Sequence, residues 1–176
     1  MLEMYKDDIQ DRMRRLDLRV SLEFEGTGRF GVTIIGGGML VLRGYITRAT
    51  DDIDILEADK RLYGLMELYD MNGRANAYIN SFPFNYEDRV RLEWSGKKID
   101  YFTASLEDVV IAKLCGSRDK DWEDLNVVAD HIDWSILEKL ATDEDELRNI
   151  KMSDREYFFF NENYKDFERK YRPCVN

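Results

Sequence analysis

Three glycines close one apolar run, and two aspartates open the next. Val32-Thr33-Ile34-Ile35 leads into Gly36-Gly37-Gly38, and Asp52 and Asp54 alternate with Ile53 and Ile55 further on. In a strand, residues i and i+2 share a face, so both carboxylates point one way while the isoleucines enter the core. Two like charges side by side repel, and a core strand has no structural need of them. A divalent cation offsets that repulsion, and hard cations such as Mg²⁺ select carboxylate oxygen. The glycines leave a phosphate-sized gap beside the acids, and backbone amides at a helix start favour an anion. The pattern reads as a metal-dependent phosphate site. Two structural readings stand beside it: a tight glycine turn, and a solvated edge-strand face with Asp51-Asp52 as an ordinary turn. The glycines form no dinucleotide fingerprint, because Val41 falls at its last glycine position, and no Gly-Lys-Ser/Thr follows to make a P-loop.

Other residues could join such chemistry. Asp100 stands alone between Ile99 and Tyr101. If Ser95-Gly96 is a two-residue hairpin loop, Arg91 sits opposite Asp100, and a cross-strand ion pair explains the acid without a metal. Lys113 follows Leu106, Val109 and Val110 by seven, four and three residues, so its side chain leaves a helix from the apolar stripe. A lysine there either snorkels its stem to water or reaches a buried anion. Asp121 and Asp124 could face the same cleft as that lysine. Asp121 also suits a helix N-terminus on electrostatic grounds alone.

The elements that must position these residues are readable in outline. Tyr5 to Leu18 has the apolar spacing of an amphipathic helix, whereas residues 20–31 combine strand-like alternation with loop glycines. Strands are expected at 32–35 and 52–56, with a short helix from Gly37 to Arg43 stopped by Gly44. A helix is expected over Lys60 to Met71, ended by Asn72-Gly73. A hairpin follows, Arg89 to Trp94 with Lys97 to Phe102. Helices over 106–114, 120–132, 134–140 and about 154–170 complete the chain. Strands early and helices late predict an α+β (mixed α/β) fold, a small mixed β-sheet flanked by helices with further helices at the C-terminal end. A length of 176 residues suits a single domain.

Composition excludes several classes. An apolar content of 44% supports a sizeable core, so global disorder is not expected. The absence of an 18-residue apolar run and the charged start predict a cytoplasmic protein with no membrane partner. One histidine and two cysteines, Cys115 and Cys174, are too few for a zinc site or a histidine-centred triad. A formal charge of −10 argues against broad DNA binding, although Arg12, Arg14, Arg15 and Arg19 cluster near the start. The aromatics of residues 157–160 read as core or interface.

Strand, glycine pair, helix, Asp-x-Asp strand and a later lone acid, in that order, resemble the nucleotidyltransferase superfamily of DNA polymerase β type. The chain is similar in particular to the minimal, AbiEii-like, toxin–antitoxin-associated branch. The resemblance covers about residues 32–128, with a C-terminal helical part over about 134–176. It implies that Gly36 and Gly37 are the glycine pair and that Asp52, Asp54 and Asp100 are three metal-binding acids. It matches Arg48 and Thr50 to an Arg-x-Thr preceding Asp-x-Asp, and Lys113 and Asp121 to lysine-bearing and Lys/Arg-Asp-x-x-Asp segments. By that resemblance the protein binds two Mg²⁺ (or Mn²⁺) and an NTP. It transfers a nucleoside monophosphate to a hydroxyl of an acceptor RNA, such as tRNA, or of a protein, with Arg48 or Lys113 neutralising charge. A role as the toxin partner of an antitoxin protein is implied as well. A catalytically degenerate nucleotide- or protein-binding module and an antibiotic nucleotidyltransferase are the competing readings.

Overall fold

Phe30–Ile34, the first strand β1, lies at the centre of the sheet and carries the glycine turn at its end. A computed structural model describes residues 3–142 and 153–173. The chain forms two compact units, Met1–Ala77 with Arg89–Ala104, and Tyr78–Asp88 with Ser105–Asn176.

Among the described residues, the first unit is a mixed sheet with three α-helices. Its strands are β1, β2 (Ile53–Ala58), β3 (Met71–Asn72), β4 (Arg91–Ser95) and β5 (Ile99–Thr103), in the order β3-β2-β1-β5-β4. β1 runs antiparallel to β2 and parallel to β5; β3 is parallel to β2 and β4 antiparallel to β5. The helices are α1 (Lys6–Glu23), α2 (Gly36–Leu42) and α3 (Tyr63–Glu67). Alternation does the sorting: Ile53 and Ile55 on β2, with Ile99 and Tyr101 on β5, are fully buried. Ile9, Met13, Leu16 and Val20 recur at three- and four-residue spacing along α1 and are buried too. Burying side chains of this size contributes about 1.5–3 kcal/mol each.

Three expectations change here. The strand-like alternation after Val20 is helix, since α1 runs on to Glu23 and leaves Leu22 exposed. The expected helix over Lys60 to Met71 stops at Glu67, after a 3₁₀ turn at Lys60–Leu62. Asp70 adopts φ 56°, and Met71–Asn72 pairs with β2 instead of ending a helix. Third, the hairpin loop is longer than Ser95-Gly96. The Gly96 amide donates to the Ile99 carbonyl at 2.8 Å, and a bulge interrupts the ladder between Leu92 and Trp94. The cause lies on α1: the buried Asp17 carboxylate accepts the amides of Lys97, Lys98 and Ile99, each at 2.8 Å.

The second unit is helical among the described residues: α4 (Leu106–Leu114), α5 (Asp119–Val128), α6 (Trp134–Thr142) and α7 (Asp154–Tyr171). Ser105 caps α4 by accepting the Asp108 amide, and Asn163 of α7 donates to the carbonyls of Leu114 and Gly116 at the other end. Phe167 of α7 stacks on Trp134. Phe160 is core, as expected of that aromatic run, while Phe158 is exposed. Cys115 is a buried free thiol; Cys174 and the parts of the C-terminal region at 143–152 and 174–176 lie outside the described residues. No described helix is long and apolar enough to cross a membrane.

Candidate active site

The end of β1 and the start of β2 meet at one corner of the first unit. The Ile35 amide donates to the Asp54 carbonyl at 2.9 Å, which brings the glycine turn against the aspartate segment. Gly36 has φ 62°, and a Cβ there would stand 3.2 Å from Asp54 Oδ2. Only glycine suits both the left-handed backbone and that proximity. A Cβ on Gly37 would stand 3.1 Å from Thr50 Oγ1 and 4.0 Å from Arg48 Nη2. The structure therefore gathers Gly36, Gly37, Arg48, Thr50 and Asp54 in one place, with Asp52 two residues from Asp54.

Each side chain there is held by its surroundings. Thr50 is buried and its hydroxyl donates to the Asp52 carbonyl at 3.1 Å, shaping the turn into β2. Its backbone exchanges two hydrogen bonds with Met4, so the segment before α1 closes the corner. Half-buried Arg48 donates to the Ala49 carbonyl. Asp52 is exposed just ahead of the strand, and Asp54 is half-buried, its Oδ1 accepting from Asn72 Nδ2 at 3.0 Å. Asn72 was not foreseen: Asn-Gly signals a turn, and only the pairing of β3 with β2 reveals what that side chain faces.

Asp100 is not brought to this corner. It pairs with Gly31 across β1–β5, whereas Asp54 lies beside Ile35, four residues or about 13 Å further along the strand. Arg29 grips the carboxylate from Nε at 2.9 Å and from Nη2, and Ser95 Oγ donates to it as well. The Arg29 hydrogen bond, helped by Ser95, lowers the Asp100 pKa to about 2. Arg91, the expected partner, stands opposite Thr103, because the hairpin closes beyond Ser95-Gly96 and sets Ser95 opposite Asp100.

Lys113 belongs to the second unit and meets anions there. Its Nζ lies 2.9 Å from Asp121 Oδ1 and 2.9 Å from Asp124 Oδ2, and all three side chains are at most 9% exposed. Snorkelling to water is thereby replaced by a buried triad. Arg118 adds a hydrogen bond to Asp121 at 2.8 Å. Burial opposes ionisation of Asp121, but the Arg118 hydrogen bond and the Lys113 charge outweigh it and hold the pKa below the usual carboxylate value.

Among the described residues no three His, Cys, Asp or Glu side chains converge as a protein-only metal cage requires. Mg²⁺ is ordinarily held by one or two carboxylates plus waters and substrate phosphates. The pair Asp52 and Asp54, beside a turn kept clear of Cβ atoms, fits a cation shared with a phosphorylated ligand. A family of sequences described as "Nucleotidyltransferase of unknown function" (DUF6036) matches residues 10–172. The chain belongs to this family. Membership in DUF6036 agrees with the mixed α+β fold and with the glycine and Asp-x-Asp order, and the match extends through both compact units. No curated protein and no solved structure matches the chain.

Proposed function

We propose that this DUF6036 nucleotidyltransferase moves a nucleoside monophosphate from an NTP to an acceptor hydroxyl at the corner of Gly36, Gly37, Asp52 and Asp54. The observation that carries the reading is the approach of Gly36 to Asp54 Oδ2, where a carboxylate and a backbone free of side chain face each other. The acceptor oxygen bonds to the α-phosphorus, the bond from that phosphorus to the bridging oxygen breaks, and pyrophosphate leaves while the hydroxyl proton passes to water. Asp52 and Asp54 would hold a divalent cation, Mg²⁺ or Mn²⁺, which when bound neutralises phosphate charge and favours both attack and departure. Asp54 is the better oriented of the two acids, through Asn72. Arg48, next to Gly37, supplies positive charge where the transferring phosphoryl group accumulates negative charge. Positioning and electrostatics suffice for such chemistry.

The acceptor class, RNA or protein, and a role in a toxin–antitoxin pair rest on the resemblance to the AbiEii-like branch. A second reading, binding of a nucleotide without transfer, is favoured by one observation: Asp100 is engaged with Arg29 and does not join Asp54 at the corner. The experiment is incubation of the protein with Mg²⁺, α-labelled NTPs and total cellular RNA or protein. Label transfer is expected, with a fall of at least about a hundredfold, about 2.7 kcal/mol, in Asp54→Asn. Folding should survive that change, because removing one of two adjacent like charges relieves repulsion. Transfer by Asp54→Asn at the wild-type rate would overturn the site, and NTP binding without transfer would establish the second reading.

A further inference from the structure

We infer that Asn72 is a positioning residue that sets the orientation of the Asp54 carboxylate for its cation. The inference rests on the reading that Asp52 and Asp54 hold a divalent metal. β3 is two residues long and parallel to β2, and in its register Asn72 stands beside Asp54. Asn72 Nδ2 donates to Asp54 Oδ1 at 3.0 Å, and Asn72 Oδ1 accepts the Arg74 amide at 3.1 Å. An amide flip would face two donors at one end and two acceptors at the other, so the donor end is committed to the carboxylate. With Oδ1 held from β3 and Oδ2 standing over Gly36, the carboxylate plane is fixed from two sides.

Asparagine is a poor strand former, and a β-branched residue would suit β3 better. A local rule broken next to a functional carboxylate points to function. The surroundings secure the same position. Asp70, two residues earlier, is the one described non-glycine residue with positive φ, a conformation that aspartate tolerates. Arg12 of α1 donates from Nε and Nη2 to Asp70 Oδ2 at 3.1 and 3.0 Å, and the Asp70 carbonyl accepts the Ile53 amide. A long helix thus clamps the kink that delivers Asn72 to Asp54.

Residues that orient metal ligands typically contribute about 10–100-fold to metal affinity. The test titrates Mn²⁺, with inorganic pyrophosphate present, into wild type, Asn72→Leu and Asn72→Asp, and follows binding by paramagnetic resonance and the Mn²⁺-induced rise in Tm. Asn72→Leu keeps the volume and removes the donor. It should bind Mn²⁺ about tenfold more weakly, with a smaller Tm rise. Asn72→Asp sets a third carboxylate beside Asp54, so its metal-free Tm should fall and its Mn²⁺-induced rise should exceed that of wild type. If wild type binds no Mn²⁺, the metal reading itself fails. If wild type binds and Asn72→Leu binds equally well, the site stands and the positioning role of Asn72 falls. A purely structural Asn72 would lower the metal-free Tm of Asn72→Leu and leave its Mn²⁺ affinity unchanged. Should Asn72→Leu not fold, Asn72→Ala, which also lacks the donor, decides: Mn²⁺ binding weaker than wild type supports the inference, and equal or tighter binding overturns it.

Discussion

Asp100 and Asp54 are both aspartates on strands of one sheet, and their surroundings give them opposite tasks. Asp100 accepts from Arg29 and Ser95, which spends its charge on joining the β4–β5 hairpin to the segment before β1. Its removal should therefore cost stability and spare transfer. Asp100→Asn is expected to melt slightly lower than wild type at neutral pH, with label transfer unchanged. A carboxyl lowered from 3.8 to about 2 contributes stability above pH about 4 and loses it as pH falls through about 2. The difference in Tm between variant and wild type should shrink over that window. Arg29→Ala should be non-additive with it, because the two side chains share one interaction. Loss of transfer in a folded Asp100→Asn would return this acid to the catalytic set.

Lys113 joins two elements, α4 and α5, through Asp121 and Asp124. Breaking a buried ion pair by removing one partner leaves an uncompensated charge and costs about 3–5 kcal/mol. Lys113→Met should destabilise by about that much at pH 7, as read from chemical denaturation. Arg118 still serves Asp121, while Asp124, 2% exposed in its side chain, loses its ion pair with Lys113. Adding Asp124→Asn should recover most of the loss. A Lys113→Met protein as stable as wild type at every pH would mean that the triad is not closed in solution. The same elements show what a sequence discloses. α4 was legible to its end residues, because Ser105 caps it and its apolar residues keep helical spacing. The Asp-x-Asp strand and the glycine turn were legible because alternation and φ > 0 are local properties. β3 was not, because a two-residue strand exists only through its pairing with β2, and Asn72 therefore read as a helix stop. The Asp100 register was hidden likewise: Asp17, some eighty residues away, sets the turn that moves Arg91 off its expected partner.

At the scale of the whole molecule, 26 basic and 36 acidic residues give a formal charge of −10, and the proposed substrate is itself a polyanion. Net repulsion slows and weakens the approach of such a ligand unless a bound cation reverses the local field. Salt then acts with opposite sign in two conditions. With EDTA, NTP affinity should be at least about tenfold weaker than with Mg²⁺, about 1.4 kcal/mol. It should also improve as KCl rises from about 0.05 to about 0.3 M, since shortening the Debye length from roughly 14 to roughly 6 Å screens the repulsion. With Mg²⁺ the local attraction dominates, and added salt should weaken binding. Calorimetric titration at the two salt levels, with and without Mg²⁺, reads both slopes. Affinity that falls with salt in EDTA as well would mean that basic side chains such as Arg48 capture the nucleotide without help from a cation. In that case Asp52 and Asp54 would have to be read as something other than the seat of a metal.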